Sequence, residues 1–150
     1  PYRIFERERV VQEADGNEML LATHRPTWVS STLNATSKAN VNDGDMETIW
    51  KPVNDDREKW WKLNFEASYC INKIQIELPE KEIDYRYKIE VSTDDINWKE
   101  IITDRAQAKD TRTRVFQGDF GCNVAFMRIT FASENAGLAE VQVGGKVSNN

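Results

Sequence analysis

Apolar and polar residues alternate along this chain in short runs with a period of two, and no stretch sustains the 3.6-residue period of a helix. Residues 86–92 (R-Y-K-I-E-V-S) put Tyr87, Ile89 and Val91 on one side and charged or hydroxyl side chains on the other. Residues 71–78 (I-N-K-I-Q-I-E-L) are apolar at Ile71, Ile74, Ile76 and Leu78, and their second half alternates strictly. Residues 124–131 form the most apolar strand of the C-terminal half. Further strands are predicted over 60–65, 98–103, 111–117 and 138–143, and over 27–32, where Pro26 limits the run to an edge or a strand start. Residues 19–22 are a short apolar run, and the turn at 93–97 (T-D-D-I-N) joins its neighbours as a hairpin. About eight short antiparallel strands between polar turns predict an all-β sandwich or jelly roll. Nothing in the pattern suggests a Rossmann unit, a P-loop or a nucleophile elbow.

Composition narrows this picture. At 150 residues the chain is long enough for one domain with a real core. A formal net charge of -5 argues against nucleic acid or an anionic membrane as partner, because both are held through phosphates. No apolar run approaches the ~20 residues that cross a bilayer. There is no signal-type segment and the chain starts at Pro1, which reads as a module cut from something longer. Residues 1–22 are read as a linker or the end of a preceding domain, and residues 23–147 as the sandwich. With two cysteines and one histidine, a zinc site of about four N/S ligands is close to excluded. Cys70 and Cys122 lie in apolar, strand-like surroundings, where free buried thiols are the expected state.

The segment 40–50 (N-V-N-D-G-D-M-E-T-I-W) carries the most suggestive chemistry. Asp43 and Asp45 flank Gly44, a residue free to take φ > 0 and curl the turn so that carbonyls point inward. Carboxylate, carbonyl and hydroxyl oxygens are what Ca²⁺ takes, but the acidic positions of an EF-hand do not continue here, since Trp50 and Pro52 follow. On spacing alone an ordinary Asp-Gly turn is the simpler reading.

The order of motifs adds to this. Ser30-Ser31 is followed by Asn40-V-N-Asp43-Gly44-Asp45-x-x-Thr48-x-Trp50 and by Trp60-W-K-L-N-F. Then come I-N-K-I-Q-I, Tyr87-K-I-E-V-S-x-D-x-x-x-Trp98, Met127-Arg128-Ile129 and Ala139-Glu140-Val141-x-Val143-Gly144. Over residues 27–145 this resembles the coagulation-factor 5/8 type C (discoidin) domain and, within it, the family 32 carbohydrate-binding modules. The resemblance implies a galactose-binding-like jelly roll with a structural Ca²⁺ held by Asn40, Asp43, Asp45, Thr48, Ala139 and Glu140. It gives Glu140, an acid inside an apolar strand, a reason to be there: a buried carboxylate needs a partner. Residues 16–33 also look like the junction after the catalytic domain in some family 43 glycoside hydrolases. Asn64 and Glu66 stand where the family has Asp and Gly, which suggests a divergent member.

A sugar is held by an aromatic face against its C–H face and by fixed polar groups that read its hydroxyls. Trp50, Trp60 and Trp98 match family positions that pack the sandwich, so Trp61, pointing away from Trp60, is the aromatic expected at the ligand. Tyr85 and Arg86, where a loop enters a strand, and Asn34, Asn54 and Arg57 on neighbouring loops complete the expected rim. Phe120 and Asn123 could line it, although hairpin packing is the simpler account. His24 is expected at the surface. Catalysis is disfavoured: the acids lie on charged loops or in the metal shell, and one histidine supports no triad. The expected function is a non-catalytic, secreted, periplasmic or cell-surface bacterial module that targets a glycoside hydrolase to polysaccharide. The competing expectation is a structural module that packs against its parent catalytic domain and binds no sugar.

Overall fold

The computed structural model describes residues 19–104 and 110–148; the charged segment 1–18 and its expected linker role lie outside them. The eight strands are β1 (Met19–Leu20), β2 (Thr27–Val29), β3 (Trp60–Glu77), β4 (Tyr87–Ser92), β5 (Trp98–Asp104), β6 (Thr113–Gln117), β7 (Val124–Phe131) and β8 (Glu140–Val147). Every pairing is antiparallel, in the order β1-β8-β3-β7-β4-β5, with β2 and β6 also on β3. The only helical element among the described residues is a 3₁₀ turn over Lys38–Asn42, capped by the Ser37 hydroxyl, which accepts from the Ala39 amide. Among the described residues no helix is long and apolar enough to cross a membrane.

The two strands expected over 60–65 and 71–78 are the halves of one 18-residue strand, β3. Its first half pairs with β2 and β7, its second with β8 and β6, and the register shifts between Asn64 and Tyr69. Glu66, Ala67 and Ser68 are exposed at this corner, and Glu66 takes φ 67°. A strand that bends and twists at such an irregularity can serve both layers of a sandwich. The polar E-A-S step interrupts the alternation, which is why the sequence reads as two strands.

Between the layers Trp50, Trp61, Leu63, Phe65, Ile74, Ile76, Ile89, Met127 and Ile129 are fully buried. Each such side chain contributes on the order of 1.5–3 kcal/mol. Leu21 and Ala22 join them, and β1 pairs with β8, so the sandwich starts four residues before the position 23 expected from sequence.

The structure corrects four aromatic assignments, two of them by parity along β3. Trp61, Leu63 and Phe65 point inward while Trp60, Lys62 and Asn64 point outward, so Trp61 is core and Trp60 is half-buried on the outer face. Trp61 donates its indole N–H to the Lys38 carbonyl at 3.2 Å, and Trp60 donates to Glu58 at 3.0 Å. Trp98, expected in the core, is half-buried beside Arg128, whose guanidinium sits 4.1 Å from its ring centre. Tyr85, expected at a rim, is buried edge-on to Phe131 with ring centroids 6.3 Å apart. Burial and then the nearby Glu80 push its hydroxyl up to about 12. Cys70 and Cys122 are joined in a disulfide rather than free, because Cys122 lies on an exposed loop that folds back on β3.

The connections gather at two ends. Residues 30–59, 79–86 and 132–139 meet where β7 finishes and β4 begins, since Phe131 pairs with Tyr87 and Thr130 with Trp60. We call this the loop end. The hairpin 93–97, the loop 118–123 and the corner of β3 meet at the other, where Phe126 pairs with Ser92 and Val124 with Tyr69.

Candidate functional site

At the loop end, residues 51–59 and 132–137 enclose an open cleft of about 350 Å³ lined by Lys51, Pro52, Val53, Asn54, Lys59, Glu134, Asn135 and Ala136. The first wall is shaped by Asp56. One of its carboxylate oxygens accepts from the Ser30 and Ser31 hydroxyls at 2.6 and 2.5 Å, the other from the Glu58 amide at 2.8 Å. Burial alone would raise this carboxyl. The hydroxyls of Ser30 and Ser31 and the amides of Glu58 and Lys59 outweigh that and hold it at about 2. The acidic run read as a solvated loop thus contains one structural anchor. The Ser31 hydroxyl also accepts from the Val53 amide at 3.0 Å, which fixes the loop just before Asn54.

The second wall is tied to the first. Lys59 donates to the Ser133 carbonyl at 2.8 Å, and Trp50 and Leu138 exchange backbone hydrogen bonds of 2.9 and 3.0 Å. Gly137 is required between them: it holds φ 148°, and a Cβ there would lie 2.9 Å from the Trp50 carbonyl. The Ser133 hydroxyl accepts from the Arg86 amide at 2.9 Å, so Arg86 adjoins this wall.

Of the residues expected at a sugar, Asn54 lines the cleft. Arg57 is exposed on the same loop, and Asn34 is exposed on a neighbouring loop whose Leu33 amide donates to the Lys51 carbonyl at 2.8 Å. The Arg86 side chain is exposed and pairs with Asp84 at 3.2 Å. Trp61 and Tyr85 are buried in the core, away from the cleft, and Phe120 and Asn123 lie at the opposite end of the sandwich. His24 is exposed, with φ 59°. The sequence reading missed Lys51, Lys59, Glu134 and Asn135. The polar S-E-N step between two strands was the available signal for the last two.

Beside the cleft, the 43–48 loop closes over the start of β8. Gly44 takes φ 88° and donates its amide to both oxygens of Glu140 at 3.2 Å. Asp43 accepts from the Asp45 amide and the Thr48 hydroxyl, each at 2.9 Å, and Thr48 also contacts the Asp45 carbonyl at 3.2 Å. Asp45 uses a carboxylate oxygen on the Glu47 amide, and Asn40 donates its side-chain amide to the Ile49 carbonyl at 2.8 Å. Glu140 is 1% exposed and sits directly opposite Glu77, itself buried, whose carboxylate accepts from Thr113 at 2.6 Å. Facing acids on neighbouring strands are unfavourable without a compensating charge. Among the described residues no three His, Cys, Asp or Glu side chains converge as a metal cluster. Asp43 on this loop and Glu140 at the start of β8 nonetheless flank Gly44 together with the Thr48 hydroxyl and the Asp45 carbonyl, oxygens of the kind that suit a hard cation.

A family profile for the F5/8 type C domain matches residues 26–141. No curated protein sequence matches the chain. Among solved structures it resembles the family 32 carbohydrate-binding module of Clostridium perfringens NanJ in complex with galactose, with 14% identity and a TM-score of 0.71 over 85% of this chain and 98% of that one. It resembles the module CpGH89CBM32-4 of the same organism, in complex with GlcNAc-alpha-1,4-galactose, at 14% identity and a TM-score of 0.74 over 87% of this chain and 96% of that one. A family 89 glycoside hydrolase from Clostridium perfringens matches at 22% identity and a TM-score of 0.73 over 86% of this chain, which spans only 15% of that enzyme. The profile match extends from Pro26, just before β2, to Val141 in β8, and includes both walls of the cleft and the 43–48 loop. The chain belongs to the F5/8 type C domain family.

Proposed function

We propose that this chain is a non-catalytic carbohydrate-binding module whose ligand enters the loop-end cleft. The observation that carries the reading is that cleft: a concave, polar site on rigidly tied loops, with Lys51, Asn54, Lys59, Glu134 and Asn135 converging. Amide, ammonium and carboxylate groups in fixed positions are what reads the hydroxyls of a sugar. The likeness to family 32 modules bound to galactose and to GlcNAc-alpha-1,4-galactose supports a terminal hexose as ligand. Glu134 is the one carboxylate among the described residues that line the cleft, whereas glycoside hydrolysis ordinarily uses a pair.

In this reading a structural Ca²⁺ is held by the Asp43 and Glu140 carboxylates and the Thr48 hydroxyl, with backbone oxygens contributed around Asn40, Asp45 and Ala139. The ion adds positive charge beside the buried Glu140 carboxylate and keeps the loop closed beside the cleft. The module targets a tethered glycoside hydrolase: a weak sugar contact raises the effective concentration of substrate at the attached catalytic domain. The Cys70–Cys122 disulfide supports an oxidising location, outside the cytoplasm, at the cell surface or in the periplasm.

One observation favours a second reading. Among the described residues no aromatic side chain lines the cleft, so they do not supply the stacking half of sugar recognition there. A module that packs against its parent catalytic domain needs no such platform. Calorimetric titration of the calcium-loaded domain with galactosides separates the two: heat of binding that disappears in Asn54→Ala supports the cleft as sugar site. Silence from a folded sample supports the packing role.

A further inference from the structure

The aromatic half of a sugar site exists elsewhere on the molecule. At the hairpin end a cleft of about 340 Å³ is lined by Trp98 and Phe120, with Val91, Val124 and the edge of the disulfide at Cys122 completing its apolar part. Thr93, Asn97 and Lys99 supply a polar rim. We propose that this cleft is a second carbohydrate-binding site, taking a single neutral hexopyranose ring. It is separated from the loop-end cleft by the length of β7, about 24 Å for its eight residues.

Four observations carry this assignment. The cleft has both halves of sugar recognition: aromatic faces for the C–H side of a pyranose, and groups that can meet hydroxyls. The Thr93 hydroxyl donates its proton to the Asn123 carbonyl at 2.8 Å, which leaves its oxygen as an acceptor. Asn97 donates one amide N–H to Asp94 at 2.9 Å and keeps its carbonyl, and Lys99 is exposed at the rim. Its size lies near the lower end of the ~300–1,000 Å³ typical of small-molecule sites, which suits a single ring.

The walls are also held in place before any ligand arrives, which lowers the entropy cost of binding. Arg128 lies 4.1 Å from the centre of the Trp98 ring and is itself paired with Glu90 at 2.9 Å, so the indole has a fixed neighbour. The Phe120 loop is tied to β3 by the disulfide and by backbone bonds from Phe120 to Ile71, from Ile71 to Gly121 and from Gly118 to Asn72, at 2.9–3.1 Å. The hairpin is fixed by Asp94, which accepts from the Ile96 and Asn97 amides at 2.9 and 2.8 Å. The lining contains no acid to hold a cation and only one base, so a neutral ring fits better than a metal ion or a phosphate.

Amide-resolved NMR titration tests this without relying on the loop-end reading, because the two clefts report through different residues. Methyl glycosides of galactose, glucose and mannose are raised through the millimolar range. We expect at least one to shift the amides of 93–99 and 118–124 in a saturable way. Phe120→Ala should weaken that response about tenfold, the loss of one stacked ring. Because Phe120 also packs against the core, its melting temperature is followed alongside, and the exposed Lys99→Ala serves as the variant that leaves the fold intact. The proposal is overturned if none of the three sugars moves these amides, if shifts appear only around 51–59 and 132–137, or if both variants titrate as the wild type does.

Discussion

The two ends of this sandwich divide between them what a sugar-binding site ordinarily combines. The loop end has a polar cleft with lysines, asparagine and glutamate and, among the described residues, no aromatic ring, while the hairpin end has two aromatic rings with a thinner polar rim. Their construction differs in the same sense. The loop-end walls are held by side-chain hydrogen bonds, centred on Asp56, Ser30, Ser31 and Lys59. At the hairpin end the Phe120 wall is held by a covalent bond and by backbone bonds to β3, and the 93–97 turn by the Asp94 carboxylate. A wall held by side chains responds to single substitutions and to pH; one held by backbone and disulfide responds to reduction. The contrast gives each end its own way to fail.

The largest effect is expected from the core that separates the ends. Trp61→Ala should cost about 3–5 kcal/mol and lower the melting temperature whichever end is probed, because Trp61 is fully buried. Reduction, or Cys122→Ser with Cys70→Ser, comes next. A crosslink across a sequence separation of 52 contributes about 4 kcal/mol in the chain-entropy model. Hydrogen exchange should then rise first over 118–124, while the loop-end amides stay protected. Equal loosening at both ends would erase the structural distinction.

In the proposed reading, calcium acts on the other side of the comparison. Asp43→Ala should lower the melting temperature by several degrees, as a loss of about 1–3 kcal/mol would at this size, and chelator should then add nothing. A wild-type domain whose melting is indifferent to chelator would remove the ion from the account. Acid should act at both ends, since the amides of Asn97 and Ile96 likewise hold the hairpin's Asp94 carboxyl below the ordinary carboxylate range, but Asp56 is the carboxylate that anchors the loop end. The Asp56 carboxyl is held at about 2, below its ordinary 3.8, so its contribution is complete above pH 4 and is lost as pH falls through about 2. Asp56→Ala should abolish that low-pH step and weaken loop-end binding, leaving hairpin-end titrations unchanged. Smallest of all, Arg57→Ala and Asn34→Ala should shift loop-end affinity by no more than a few fold, since both are exposed around the cleft and neither lines it.

The sandwich was legible in the sequence because period-two alternation survives wherever one face of a strand is buried, as at Tyr87, Ile89 and Val91. The family pattern was legible for the same reason plus the fixed order of its turns. What was not legible depended on parity and on distant contacts. Adjacent tryptophans at 60 and 61 must point to opposite faces, and the choice was decided by Leu63 and Phe65, which share a face with Trp61. Tyr85 looks like a loop residue by position, yet tertiary packing against Phe131 buries it. The disulfide joins residues far apart in sequence, and nothing local to Cys122 reveals that its loop returns to β3. The 132–137 wall came from a polar step that carries no motif, and the hairpin-end cleft required two turns, 93–97 and 118–123, to be brought together in space.

The central claim is that the loop-end cleft binds carbohydrate. The most direct measurement is a glycan array probed in millimolar calcium with the wild-type domain beside a Lys51→Ala, Asn54→Ala double variant. The account predicts selective retention of the wild type on a small set of terminal-hexose glycans, and loss of those signals in the variant at an unchanged melting temperature. A blank array from a folded, calcium-loaded wild type, or identical profiles from the two proteins, would contradict it.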